Sequence, residues 1–387
     1  MNNRQEINDL ETQANISTAP ELRMDWPYVA RTKYWHRLED GRVQCDLCPR
    51  FCRLRDGQRG FCFVRACVDG EVVLTTYGRS SGFCVDPIEK KPLNHFLPGT
   101  PILSFGTAGC NLGCKFCQNW DISKSREYDT LADNAGATVI ARAAEQLQCR
   151  AIAFTYNDPV IFLEYAVDVA QACRERGLRS VAVTAGEICP EPRKEFYEYM
   201  DAANVDLKAF SQRFYKQICA GHLEAVLDTL KYLKHETDVW LELTTLLIPG
   251  ENDSDSELDQ MTRWVVEELG SEVPMHFTAF HPDFRMLDTP ATPPATLSRA
   301  RRIARNNGIR YAYTGNVLDP EGQSTYCHVC DELLIGRSHC DIREWNLNAD
   351  AGCPKCGTRC AGVFEPQPGR WGSRRLPVRL RDFVTSN

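Results

Sequence analysis

The chain has 387 residues, 43% of them hydrophobic and 25% charged, with a formal net charge of −7. That balance fits a globular protein with a sizeable core and disfavours a surface built for polyanions. Nineteen cysteines are the anomaly. Their number is odd, the chain is long and most stand at metal-ligand spacings, so they do not form a disulfide framework.

Residues 1–30 read as a polar leader with no apolar signal-peptide region. No apolar run approaches the ~20 residues of a membrane-crossing helix. With many thiols to keep reduced, the expectation is a cytoplasmic protein without membrane contact.

Residues 31–95 form a Cys-rich module. Cys45, Cys48, Cys52 and Cys62 make a four-ligand set with gaps of two, three and nine residues. Zinc and an auxiliary iron–sulfur cluster both suit it, and a structural metal that staples a small module is preferred. Cys67 and Cys84 are near enough in sequence to replace one ligand. The charges of Asp86–Leu93 read as a solvated turn, or as a group acting near the chemistry that follows.

Residues 96–318 alternate short apolar runs with amphipathic stretches. Strands are expected at Ile102–Phe105, Ala151–Phe154, Ser180–Val183, Val205–Leu207, Trp240–Ile248, Met275–Phe280 and Tyr311–Tyr313. Helices are expected at Phe162–Arg176, Pro192–Met200, Leu223–His235, Ser256–Leu269 and Thr296–Asn306. Alternation of this kind predicts an α/β fold with a parallel sheet, either a complete or partial TIM-type barrel or a doubly wound sheet. Unusual polar residues cluster just after the strands, at Thr155–Pro159, Thr184–Glu187, Asp206–Lys208 and His281–Pro282. Parallel barrels carry their active sites at that end.

After the first strand come Cys110, Cys114 and Cys117, spaced C-x3-C-x2-C. Three thiolates on one loop can hold three irons of a [4Fe–4S] cluster and leave the fourth open, whereas four would close it. A zinc loop is the alternative, but tetrahedral zinc wants four ligands. Cys149, Cys173, Cys189 and Cys219 lie among core elements and read as small buried hydrophobes.

Residues 319–368 hold two C-x2-C knuckles, Cys327/Cys330 and Cys353/Cys356, separated by about twenty residues. This is the spacing of a four-cysteine zinc ribbon; Cys340 and Cys360 are surplus. Residues 369–387 form a basic tail.

Together these segments resemble the radical S-adenosylmethionine (SAM) superfamily, in its glycyl-radical-enzyme activase-like branch. They are most similar to the radical SAM component of the AmmeMemoRadiSam system. The resemblance rests on the cysteine loop, Cys45–Cys52, Asp86–Leu93, Phe154–Pro159, Asn204–Lys208 and the terminal knuckles. It implies that SAM binds the open iron and is cleaved reductively to a 5′-deoxyadenosyl radical. It further implies a flavodoxin or ferredoxin-type reductant, with Memo-like and AMMECR-like proteins as partners. By position, Asn157, Asp158, Asp206, Lys208, His281 and Gly186 would contact SAM. For Asn157 and Asp158 a helix cap ahead of Pro159 is an equal reading, and Asp206 with Lys208 also fits a structural ion pair. Relatives usually carry Asn-Gly after the third strand where this chain has Thr184-Ala185-Gly186-Glu187, so a side-chain contact there is lost. Substrate hypotheses are a protein activated by a glycyl radical, a small molecule or peptide handled with the partners, or RNA docked on the ribbon. A non-enzymatic metal scaffold is the remaining alternative. The acidic balance counts against nucleic acid.

Overall fold

The computed structural model describes residues 22–125 and 133–384, so most of the expected leader lies outside the described residues. Seven parallel strands form the centre: β1 (Pro101–Gly106), β2 (Ala151–Phe154), β3 (Arg179–Thr184), β4 (Ala202–Asp206), β5 (Trp240–Leu247), β6 (Met275–Ala279) and β7 (Ala312–Gly315). Each pairs with the next in chain order. The order never reverses, so there is no switch point and the doubly wound alternative is excluded. Among the described residues β1 and β7 are not hydrogen-bonded to each other; the sheet runs in barrel order with open ends. Beyond β1 it continues through the antiparallel strand Arg79–Pro87, which Leu376–Pro377 flanks in turn.

Helices cover the connections: α1 (Ala137–Gln146), α2 (Leu163–Arg174), α3 (Pro190–Glu198), α4 (Leu223–Glu236), α5 (Asp255–Leu269) and α6 (Pro294–Asn306). With helices packed against the sheet, β2 is buried at every position. That explains why it reads as an unbroken apolar run rather than an alternating one. The Ser254 side chain accepts the Glu257 N–H and starts α5, satisfying one of the donors a helix leaves open.

The differences from expectation include the limits of one strand and the presence of one helix. The fourth strand begins at Ala202 and ends at Asp206, which leaves Lys208 beyond it. Helix α1 was not anticipated, because its buried stripe is Ile140, Ala141, Ala143 and Ala144, and alanines give a weak periodic signal.

The N-terminal Cys-rich segment folds as two small three-stranded antiparallel sheets, and a third lies in the C-terminal segment. The C-terminal one docks near the amino ends of the strands. There the His95 ring meets Tyr313 Oη at 2.5 Å and the Ala361 carbonyl at 2.6 Å, while Arg337 donates to the Asn94 carbonyl at 2.7 Å. Glu242 on β5, fully buried, accepts the N–H groups of Asn94 and His95 and lies 2.7 Å from His276. This end is built for cohesion. The opposite end carries the three-cysteine loop.

Candidate active site at the carboxyl ends of the strands

The chain leaves β1 and enters the cysteine loop under the control of Asn157, just past β2. The Asn157 side chain accepts the Thr107 N–H at 3.3 Å and donates to the Gly109 carbonyl at 2.8 Å. On its far side the loop docks on a π-helical turn, Tyr215–Cys219. The Gly113 and Lys115 N–H groups donate to the Cys219 and Ile218 carbonyls at 2.7 and 2.9 Å. Such single π turns are uncommon and concentrate at functional sites. Ala220 leaves this one with φ 53°.

Cys110 and Cys114 are buried and Cys117 is partly so. No three sulfurs of this loop come within 4.8 Å of one another; among the described residues only the C-terminal knuckles do so. The loop therefore lacks the spacing for one ion. Burial pushes the Cys110 thiol up to about 11. Cys114 is held below its ordinary value, first by a hydrogen bond from Cys219, with Lys208 and Lys124 assisting. Lys124 is fixed by donating to the Leu112 carbonyl at 2.7 Å. Three widely set thiols beside two lysines fit a cluster held by three thiolates, whose negative charge the cations offset.

Lys208 Nζ lies 2.6 Å from Asp206 Oδ2. Burial opposes the ammonium charge, yet Asp206 and Cys114 hold it well above its ordinary value. Asp158 performs the capping role, its Oδ1 accepting the Val160 N–H at 3.2 Å and the Thr184 hydroxyl at 2.8 Å. Its other oxygen, Oδ2, is buried with no partner, as is the Thr244 hydroxyl, whose residue sits in register with Asp206. Buried polar atoms normally have partners; these two are among several described side-chain atoms left without one. Burial raises the Asp158 carboxyl to about 6.

The remaining expected residues are placed less directly. Gly186, at φ 69°, packs on β4, where a Cβ would lie 3.0 Å from Val205 Cγ1. His281 is exposed in the loop after β6. That loop reaches the cysteine loop through Arg285 N–H to the Lys115 carbonyl, 3.0 Å, and Trp120 Nε1 to Asp283, 3.1 Å. The Asp86–Leu93 segment is not a solvated turn. Lys91 and Asp86 form a buried pair at 2.8 Å, and Lys91 lies 5.3 Å from the Tyr156 ring centroid, beside Asn157. Sequence reasoning missed Cys219, which carries no local signal. It also missed Lys124, whose position ten residues past Cys114 was the available hint. Glu187, next to Gly186, is buried and binds His222 Nδ1 at 2.7 Å.

In the C-terminal segment, the sulfurs of Cys327, Cys330, Cys353 and Cys356 all lie within 4.8 Å of one another. Each knuckle closes by a backbone hydrogen bond of 2.9 Å, from Asp331 to Cys327 and from Gly357 to Cys353. This set has the dimensions for a single ion. Cys360 stands apart, 3.8 Å from the His95 ring.

The sheet, the loop and its lysines define an α/β protein with three cysteines on one loop at the carboxyl ends of its strands. Residues 105–262 match the family model of the radical SAM superfamily. The chain is 38% identical over 327 residues to the uncharacterized protein MJ0808 of Methanocaldococcus jannaschii, covering 84% of this chain and 97% of that one. Over 107 residues it is 29% identical to the 4-hydroxyphenylacetate decarboxylase activating enzyme of Clostridium scatologenes, 27% of this chain and 34% of that one. A solved radical SAM methyltransferase from Sphaerobacter thermophilus is similar with a TM-score of 0.46 and 16% identity, covering 81% of this chain and 82% of that one.

The chain belongs to the radical SAM superfamily, and its three-cysteine loop lies within the matched residues. Membership implies a [4Fe–4S] cluster, SAM and an enzyme of the radical SAM type. No helix among the described residues is long and apolar enough to cross a membrane.

Proposed function

We propose that Cys110, Cys114 and Cys117 hold the site-differentiated cluster, and that the chain uses it to cleave SAM and abstract hydrogen from a substrate lying at the carboxyl ends of the strands. The observation that carries this reading is the convergence of the three-cysteine loop with Lys208 and Asp206 on one face of an in-order parallel sheet. When bound, the cluster supplies the electron that cleaves SAM. The residues of the chain bind and orient. Asp158 offers its unpartnered oxygen, and Thr244 its hydroxyl, to the amino end of SAM. The Asp206–Lys208 pair presents a carboxylate and a cation within one ligand's reach, and Asn157 keeps the loop in position from behind. His281 and Gly186 border the same end of the sheet.

The open sheet is a partial TIM-type barrel, with the substrate entering on the side where β1 and β7 are not bonded to each other. Zinc is the ion proposed for the four C-terminal sulfurs. Memo-like and AMMECR-like partners and a flavodoxin or ferredoxin-type reductant complete the proposal, in the cytoplasm. The stretch similar to a decarboxylase activating enzyme favours a second reading, activation of a partner protein by radical formation.

The test is anaerobic reconstitution followed by reduction with SAM present. 5′-Deoxyadenosine should form, and SAM should change the electron paramagnetic resonance signal of the reduced cluster. A signal indifferent to SAM sinks the reading.

A further inference from the structure

The N-terminal cysteines gather around one cavity. Cys45, Cys48, Cys52 and Cys62 all line it, together with Arg65 and Asn111. All four are unpaired thiols, and three are buried. Backbone N–H groups aim at their sulfurs, from Leu47 to Cys45, from Arg50 to Cys48, and from Val64 and Arg65 to Cys62. The Arg65 guanidinium is buried at the wall, anchored 2.8 Å from the Ile161 carbonyl and 2.5 Å from Glu164. Four thiols, inward-pointing amides and a buried cation form a site for an anionic metal–thiolate centre.

Spacing decides which centre. The four C-terminal sulfurs converge within 4.8 Å of one another, and no three of the N-terminal sulfurs do. The N-terminal set shares this wider spacing with the three-cysteine loop. One ion cannot be gripped tetrahedrally by sulfurs so far apart, because zinc–sulfur bonds are about 2.3 Å. A four-iron cluster presents four separate iron corners, one for each thiolate.

The location is also specific. Gly109, directly before Cys110, has φ +81°, and a Cβ there would lie 1.9 Å from the Cys62 carbonyl oxygen. Arg50, between Cys48 and Cys52, donates to the Asn111 carbonyl at 2.8 Å and to the Ala220 carbonyl. Cys62 and Arg50 thus clamp the N-terminal set onto both neighbours of Cys110. Asn111 belongs to the loop and lines the cavity.

We propose that Cys45, Cys48, Cys52 and Cys62 hold a second [4Fe–4S] cluster, ligated by cysteine at every iron and packed against the three-cysteine loop. This replaces the structural metal preferred from sequence. With no open iron it does not bind SAM. Its existence does not depend on the chemistry proposed for the first centre.

The test uses the full chain, purified and reconstituted without oxygen, and its variant C110A/C114A/C117A. The wild type should contain about eight irons with matching sulfide, and the variant about four. On reduction the variant should show a cluster signal that SAM does not move. The complementary variant C45A/C48A/C52A/C62A should retain about four irons and a SAM-responsive signal. A C110A/C114A/C117A variant with neither iron nor sulfide, whatever zinc its C-terminal knuckles keep, overturns the proposal. Should either variant fail to fold, the wild-type count still decides, since about four irons would overturn it. A wild type with about eight irons whose signals all ignore SAM would sink the proposed function and leave the second cluster standing.

Discussion

Lys208 reaches back to Asp206 across a single residue, with Nζ 2.6 Å from Oδ2, and its charge is felt at the Cys114 sulfur. The pair therefore belongs to the loop as much as to the strand. D206A or K208A should leave iron content intact and weaken SAM binding. A lost hydrogen bond to a charged ligand group costs ~1.5–3 kcal/mol, roughly ten- to a hundredfold in affinity. Titration with SAM and a melting curve separate the outcomes. A lower melting temperature with normal affinity would reduce the pair to a structural one.

Asp158 predicts a pH dependence. Burial raises its carboxyl to about 6 from an ordinary 3.8. The folded chain holds this proton more tightly than the unfolded chain, so the group's contribution to stability is complete below pH ~3.8 and is lost as pH rises through about 6. Ligand binding runs the other way, because the SAM ammonium needs the ionised form. SAM affinity should rise with pH through about 6 and then level off, and D158N should flatten the curve. An unchanged curve in D158N assigns the orphan oxygen no part in binding.

Cys219 donates a hydrogen bond to Cys114. Hydrogen bonds to ligand sulfurs raise cluster potentials by stabilising the more negative, reduced state. C219A should keep the cluster and make it harder to reduce, read as a lower midpoint in a redox titration. An unaltered midpoint would return Cys219 to the buried hydrophobes.

The C-terminal knuckles should hold about one zinc per chain, as four thiolates require. C353A/C356A should lose it and melt at a lower temperature, because the segment packs on His95 and Tyr313. Iron and sulfide at these knuckles in the intact protein would reassign them.

The parallel sheet was legible in sequence because its strands are buried on both faces and bounded by polar residues. β2 matches its expected limits, Ala151–Phe154. The three-cysteine loop was legible from spacing alone. What escaped depends on distant packing. Asn157 was weighed as a ligand contact or a cap, and its amide instead supports Thr107 and Gly109. Cys219 looked inert because nothing local distinguishes a core thiol from one beside a cluster ligand. The Asp86–Lys91 charges looked solvated because charge runs usually are, yet both side chains are only 4% exposed. The tail arginines stay exposed, Arg375 included, although its Nε lies 3.3 Å from Cys84 Sγ.

The short strand Leu376–Pro377 lies along Cys84 and Val85, joining a segment made late in synthesis to one made early. While the chain is still emerging from the ribosome, the central strands and both early cysteine sets can already form, but the border beside β1 stays bare. Bare strand borders invite pairing with other chains, and nascent chains expose them longest. Truncated chains lacking this strand should therefore self-associate.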